Sequence, residues 1–469
     1  MANFKKYLTP FILKVGAGCF LLTSTFMNGS AGAMTPYKKA KLDNGMEIVS
    51  LEDHKVPLVT IVIAVKAGAM SETPETNGLT HLWEHMFFKG NKLLPNQEAF
   101  NQRVRELGII FNGDTSAEKV RYYFTLPSVY LEQGLEFMAA AITSPLLDTK
   151  EIEKERQVVL NEYDRNASQP AFKMYNLRRR LIYGGKGYLR DPLGSRDVIA
   201  KASREQLMTI KSEVFVPSNS CLLVGGDFDE KKLQAAVKKY FSDWKDPAGY
   251  KPVKAPAFPS FPAERELVVT HKDAQNVNLS ITYEGPKARL SPEASYAADM
   301  LIQLLGHRSG KFHHAYIESS LSLASGLAYY TQSQAGEITL YGLALPEKVA
   351  ELKKALLSEP QKWLEKDYFT EEQLEDVRRQ LTVDYKLQRN KPSEYTNNLA
   401  FWWAVTGLDY YDSYLDNLRK VTLEDIRSFI RTYMIGKPRV ISLFLSPDDA
   451  KAIGMEDNSS SVPSQLLDR

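Results

Sequence analysis

The sequence predicts an α+β protein of two related domains, each a largely antiparallel sheet with helices packed on one face. Three observations carry this expectation. The chain has 469 residues, more than one ordinary domain holds. A proline-rich stretch at 246–264, "DPAGYKPVKAPAFPSFPAE", has neither helical nor strand period and divides the chain. The two sides then echo one another at an offset near 220. "DTKEIEKERQVVLNEY" (148–163) pairs with "FTEEQLEDVRRQLTVDY" (369–385), each a long helix with an N-cap and an early acidic turn. "SREQLMTIKSEVFVPSNSCLLVGGDFD" (203–229) pairs with "TLEDIRSFIRTYMIGKPRVISLFLSPDD" (422–449), each a helix, a turn and an apolar strand.

Taken in order, residues 1–33 read as a signal peptide. Lys5 and Lys6 precede a mostly apolar run, Val15 to Met27, and Ser30-Ala31-Gly32-Ala33 supplies a small-residue cleavage site after Ala33. Lys14 leaves the apolar run too short to span a bilayer. Gly16-Ala17-Gly18-Cys19 is only a weak lipoprotein box, with glycine where a larger apolar residue belongs, so lipidation is the lesser reading. Cleavage would remove three lysines and no acids, taking the net charge from +2 to −1. The expectation is an exported protein of the bacterial periplasm, with domains at 34–245 and 265–448, the linker at 246–264 and a flexible tail at 449–469. A composition of 43% hydrophobic and 25% charged residues is that of a soluble globular protein. The near-neutral charge gives no footprint for nucleic acid. Cys221 would be the one cysteine left, which excludes an intramolecular disulfide; its apolar neighbours mark it as a buried strand residue.

In the first half, strands are expected at 45–50 and 58–67, the second rich in β-branched residues, after an Asn44-Gly45 turn. Helices follow at 77–89 and 95–107, strands near 109–113 and 119–126, and helices at 128–143, 148–167 and 203–213. A strand at 219–225 and a helix at 229–241 complete the half. The second half has the same ingredients.

The helix expected at 77–89 holds "GLTHLWEHMFFKGN", with Asn77 as its N-cap and Gly90 as its end. His81, Glu84 and His85 fall at i, i+3 and i+4 and share one face. Histidine is scarce, 7 in the chain, so two of them four apart with a carboxylate between stand out. Two imidazoles so spaced can reach one zinc ion, and Glu84 can reach a water beside it as general base. The competing reading is an amphipathic core helix, since Leu82, Trp83, Met86, Phe87 and Phe88 are apolar. It would bury three polar groups without partners, which is costly. A catalytic zinc takes a third protein ligand, and spacing alone cannot select it. Glu155 and Glu162, seven apart on one helix, are also readable as a solvated charged stripe.

The H-x-x-E-H stretch resembles the signature of the pitrilysin-type metallopeptidases, the inverzincins. "LDNGMEIV" (42–49), "NGDTSAEKVRYYF" (112–124), "RDPLGSRDVI" (190–199), "VPSNSCLLVGGDFD" (216–229) and "SGLAYY" (325–330) resemble family segments in the family's order. The resemblance implies a zinc endopeptidase acting on extended peptides, half of a clamshell of such domains. It makes Glu162, 81 residues beyond His81, the third ligand, and Glu155 an acid that orients the site. It also implies that the stretch holding Asn112 and Gly113 is an edge strand to which a peptide adds; an ordinary hairpin turn is the alternative.

At an offset of 221 the second half reads Ile302-Gln303-Leu304-Leu305-Gly306 opposite the motif and Val383 opposite Glu162, so that copy has lost the ligands. His307, His313 and His314 fit no ligand spacing and read as surface or loop residues. The resemblance assigns substrate binding in the second half to an arginine seven residues before a tyrosine. Tyr329 is present, but the arginine position is Ser322. That departure resembles two-subunit members, so the expectation is a heterodimer whose paralogous partner supplies the Arg/Tyr pair, with a homodimer second. A non-catalytic peptide-binding or assembly subunit is the alternative, weakened by the intact Glu84. A metal-storage protein would carry His-rich tracts, which this sequence lacks.

Overall fold

The computed structural model describes residues 37–183, 190–254 and 263–462. The expected signal peptide lies outside the described residues, as do linker residues 255–262. The first half runs β1 (Lys38–Lys41), β2 (Glu47–Glu52), β3 (Leu58–Val65), α1 (Leu79–Phe87), α2 (Gln97–Leu107), β4 (Ile110–Thr115), β5 (Val120–Pro127) and α3 (Leu131–Thr143). It continues with α4 (Thr149–Ala167), α5 (Phe172–Tyr183), α6 (Arg196–Lys201), α7 (Arg204–Val214), β6 (Ser220–Gly226) and α8 (Glu230–Phe241). The second half runs β7 (Arg265–Thr270), β8 (Val277–Gly285), α9 (Pro292–Gly306), α10 (Lys311–His313), β9 (Ala324–Tyr330), β10 (Gly336–Ala344) and α11 (Val349–Lys362). Then come α12 (Glu371–Leu387), α13 (Pro392–Val405), α14 (Leu408–Leu418), α15 (Leu423–Tyr433), β11 (Arg439–Leu445) and α16 (Pro447–Ala452).

The duplication is plain in the sheets. The first is ordered β1-β2-β6-β3-β5-β4 and the second β7-β11-β8-β10-β9. Each has one parallel pair, β2 with β6 and β7 with β11, and is otherwise antiparallel. β1 is the extra strand of the first copy. Its sequence, Lys-Lys-Ala-Lys, is exposed throughout, so no apolar alternation announces it; pairing with β2 makes it a strand. Helices α5 and α6 are likewise additions to the sequence expectation.

One face of each sheet carries that half's own helices, as expected. The other face is covered by a helix from the opposite half. α13 lays Tyr395, Leu399 and Trp403 against Val49, Leu51, Val62, Ala64 and Leu223 of the first sheet. α5 lays Met174 and Leu177 against Leu267, Val269 and Phe444 of the second. The two helices occupy equivalent places in the two copies, so the exchange is reciprocal. Gly225 admits α13 to close range: a Cβ there would lie 2.0 Å from Thr396 Oγ1. The halves are also joined at their hairpin tips, where Glu118 accepts hydrogen bonds from the Ser333 amide (2.9 Å) and hydroxyl (2.7 Å).

The chain beyond 449 corrects the expectation of a flexible tail as far as it is described. Asn458 pairs with the backbone of β7 through Val268 N (2.8 Å) and Glu266 O (3.0 Å), and Asp457 accepts from Thr270 N (2.8 Å). These side chains satisfy the outer edge of β7, which ends its sheet.

Candidate metal centre

α1 is held by its apolar side. Trp83 stacks on Phe215 at 4.0 Å between ring centroids and Phe87 on Tyr122 at 3.9 Å. Both side chains are fully buried, an anchorage worth about 1.5–3 kcal/mol each. The opposite side of the helix is thereby left to His81, Glu84 and His85. The N-cap differs from the sequence expectation. Gly78, at φ +104, is the capping position, and the cap itself is the carboxylate of buried Glu72. It accepts from Gly78 N (2.9 Å), Thr80 N (2.8 Å) and Asn77 Nδ2 (2.9 Å). Asn77 therefore serves the cap from one step away. A negative charge at a helix N-terminus is favourable, but Glu72 stands six residues before Gly78, outside the spacing by which an N-cap or capping box is read. The helix ends at Phe87 with Phe88 as C-cap, ahead of the expected Gly90.

α4 brings the acids. His81 Nε2 and His85 Nε2 each lie 3.8 Å from Glu162 Oε2, and the two rings stand nearly perpendicular, 4.9 Å apart. Among the described residues, His81, His85 and Glu162 form the one group of three or more such side chains close enough to hold a metal ion, their ligand atoms all within 4.8 Å of one another. Glu155, two turns before Glu162, accepts from His85 Nδ1 at 3.0 Å and pairs with Lys89 Nζ at 2.5 Å. With its Nδ1 engaged by Glu155, His85 turns its Nε2 toward Glu162. Burial holds His81 neutral, its pKa pushed down to about 3, with the neighbouring His85 ring adding to the effect. Its buried Nδ1 has no hydrogen-bond partner, although the Leu193 backbone is near enough to favour the proton slightly. Burial works against ionisation of Glu155, but the bonds from His85 and Lys89 outweigh it and hold its carboxyl below the usual range.

These residues fit zinc. Two imidazoles and a partly exposed carboxylate converge, and an ideal zinc tetrahedron would bring their ligand atoms to about 3.3 Å from one another. Each imidazole would close on Glu162 from 3.8 Å, and no pair of ligand atoms is more than 4.8 Å apart. Glu84 sits beside them, 8% exposed, with its pKa raised to about 7 by burial, which the Thr115 hydrogen bond only partly offsets. Thr115 Oγ1 donates to Glu84 Oε2 at 2.6 Å. Glu84 Oε1 lies against Gly113, where an added Cβ would stand 2.8 Å away.

Asn112 and Gly113 are in β4, paired with Tyr123 and Tyr122 of β5. The turn lies further on, where Ser116 N bonds to Lys119 O (2.8 Å). β4 is the last strand of its sheet. Its neighbour β5 is buried on alternate residues, while β4 itself is half-buried.

Tyr329 is not brought to this centre. It is 4% exposed in the second core, accepting from Ser295 (3.0 Å) and donating to Pro286 O (3.1 Å). Strand alternation in β9 turns Leu327 and Tyr329, the substrate-binding candidate, inward together. Ser322 is buried too, its hydroxyl held by the Ala324 and Leu343 carbonyls (2.6 and 2.9 Å). His313 and His314 lie near Glu318, and His307 near Asp376, all partly exposed. Three residues went unremarked in the sequence: Lys89, Thr115 and Glu72. Only Lys89 carries a sequence signal, its i+4 spacing from His85.

Fold and site together describe a duplicated α+β protein with a candidate metal centre in one copy. Residues 47–184 match the family described as Insulinase (Peptidase family M16) and residues 201–381 match the Peptidase M16 inactive domain. The chain belongs to the M16 peptidase family. It is 26% identical over 403 residues to zinc protease PqqE of Helicobacter pylori, covering 84% of this chain and 87% of that one. It is 25% identical over 372 residues to an uncharacterized zinc protease of Rickettsia felis, covering 78% and 87%. Its structure is similar to that of a protease from Helicobacter pylori, with a TM-score of 0.80 at 21% identity, over 88% of this chain and all of that one. It is also similar to the periplasmic protease PqqL of Escherichia coli, with a TM-score of 0.73 at 19% identity, over 92% of this chain and 50% of that one. The clamshell half expected from the sequence is the fold these neighbours share.

Proposed function

We propose that this chain is the zinc-bearing subunit of an endopeptidase that hydrolyses extended peptides, with His81, His85 and Glu162 as ligands, Glu84 as general base and Glu155 orienting His85. The observation that carries the reading is the convergence of the two imidazoles and Glu162 beside a second carboxylate that touches an edge strand. A zinc ion there would supply Lewis-acid activation of water and of the scissile carbonyl. The chain does the rest. Glu84 takes the proton at Oε1, the oxygen that Thr115 leaves free, and is poised by a pKa near neutrality. An extended peptide adds to β4 at Asn112 and Gly113 by main-chain hydrogen bonds, which sets its backbone beside Glu84. The opposite edge, β1, discourages such pairing with three lysines.

The partner follows from the second half. Ser322 and Tyr329 are both spent on internal hydrogen bonds, so neither is free to hold a substrate. A paralogous subunit carrying an Arg/Tyr pair would complete the site, with a second copy of this chain as the lesser reading. The reciprocal packing of α5 and α13 ties the two halves of one chain together, so closure on a substrate occurs between chains. The periplasmic location rests on the signal peptide read at 1–33. Among the described residues no helix is long and apolar enough to cross a membrane.

Glu84→Gln tests the mechanism: bound zinc is retained, while peptide turnover falls by about 10²–10⁴-fold. Unchanged turnover refutes the base assignment. Full activity of the zinc-loaded, monodisperse chain alone refutes the need for a partner. The second reading, a non-catalytic peptide-binding or assembly subunit, draws on the inactive-domain match at 201–381. That match runs from the last elements of the first half into the second and includes none of the cluster residues, and the same experiment separates the two readings.

A further inference from the structure

We infer that Lys89 is a positioning residue for the metal centre: its ammonium holds Glu155 against His85 and ties the helix of the histidines to the helix of Glu162. The inference rests on the zinc reading above and goes beyond the residues assigned there.

Lys89 lies one turn beyond His85, on the same side of the chain as it leaves α1. It is 7% exposed, and a lysine is almost never so buried unless paired. Its partner is Glu155 Oε1, at 2.5 Å, while the other oxygen, Oε2, meets His85 Nδ1 at 3.0 Å. One carboxylate is thus gripped at both ends by groups four residues apart. Other acids are at hand: Asp148 and Glu151 line a small cavity of about 20 Å³ beside Lys89. Both are already engaged. Asp148 caps α4 through Lys150 N and Glu151 N (2.9 and 3.1 Å), and Glu151 pairs with Lys154 (2.7 Å). Lys89 is therefore committed to Glu155.

The consequence reaches both histidine and glutamate ligands. A carboxylate free to rotate could leave His85, letting the ring turn and exchange which nitrogen carries the proton. The Lys89 bond fixes the carboxylate plane, so Glu155 stays against His85 Nδ1 and the ring keeps Nε2 turned toward Glu162. Glu155 and Glu162 also share one rigid helix, two turns apart. Clamping Glu155 to Lys89 sets the rotation of α4 relative to α1, and with it the approach of Glu162 Oε2 to both imidazoles. Lys89 touches no reacting atom; it acts through Glu155.

The test is zinc affinity of the full chain, measured by competition with a chromophoric chelator. Lys89→Met and Glu155→Gln each weaken binding by about 10–100-fold, the usual cost of removing a partner behind a metal ligand. The double variant binds no more weakly than the worse single one, because both break one relay. Lys89→Arg, for which the cavity leaves room, recovers affinity relative to Lys89→Met. Should Lys89→Met fail to fold by circular dichroism, Glu155→Asp carries the test: it keeps the charge but is too short to span both partners, so it too binds zinc weakly. Wild-type affinity in Lys89→Met, or losses that multiply in the double variant, overturns the role of Lys89 while leaving the zinc site standing. A wild-type chain that binds no zinc, or binds it equally after His81→Ala, overturns the site reading and this inference with it.

Discussion

Glu118→Gln isolates one titration at the junction between the halves. The Glu118 side chain, 8% exposed, joins the β4–β5 tip to the β9–β10 tip through the Ser333 amide and hydroxyl. Burial raises its pKa to about 7, against the opposing pull of the Ser333 hydrogen bonds. An unhindered glutamate titrates near about 4.3. Below that pH both folded and unfolded chains are protonated there, and the contribution to stability is fully present. Between about 4.3 and 7 the folded chain keeps a proton that the unfolded chain has lost, so stability falls as pH rises. Above 7 the ionised carboxylate costs the folded state about 3–4 kcal/mol relative to acid conditions. The amide introduced by Glu118→Gln would keep an acceptor oxygen for Ser333 and lose the titration. Denaturant unfolding is followed by circular dichroism at fixed ionic strength from about pH 4.5 to 8, a range that brackets the titration. Wild type loses stability across this range, and Glu118→Gln loses less by up to about 3 kcal/mol. Asp299, also raised to about 7 by burial, titrates in the same window in both proteins and cancels in the difference. Parallel curves for the two proteins would refute the reasoning.

Further outcomes follow from the same contacts. Thr115→Val removes the hydroxyl held by Glu84 and lowers kcat by about tenfold or more, with KM unchanged, while Thr115→Ser restores it; steady-state kinetics of the complete enzyme decide. Gly225→Ala drives a methyl into Thr396 Oγ1 and costs about 1–3 kcal/mol in denaturant unfolding, and Gly225→Ala with Thr396→Ala regains part of the loss. Free zinc at about 100 times its Kd stabilises the chain by about 2.7 kcal/mol over the chelated protein, and Glu162→Gln abolishes most of that response in thermal melts.

Much of this was legible because it is local. H-x-x-E-H in a helix puts three side chains on one face whatever surrounds it. Asp148 and Thr370 cap their helices as their sequences announce, and the Asn44-Gly45 turn forms with Gly45 at φ +93. The duplication was readable from two pairs of segments, and the sheets share its order and its one parallel pair. Other features were illegible for reasons as definite. The Lys89–Glu155 pair and the Thr115 bond each join residues whose nearness depends on how separate elements pack, and the Glu72 cap comes from a loop that folds back outside any capping spacing. Glu162 was reached through a resemblance, since no spacing rule reads across four intervening elements.

The elements, the repeat and the chemistry that α1 offers were thus already written in the chain, because backbone geometry and side-chain spacing act within a few turns. Packing brings Glu155 and Glu162 to the histidines and β4 against Glu84, and it alone turns Tyr329 inward and crosses α5 and α13 between halves. Those outcomes rest on the burial of apolar surface summed over the whole chain, which selects among arrangements that local sequence leaves equal.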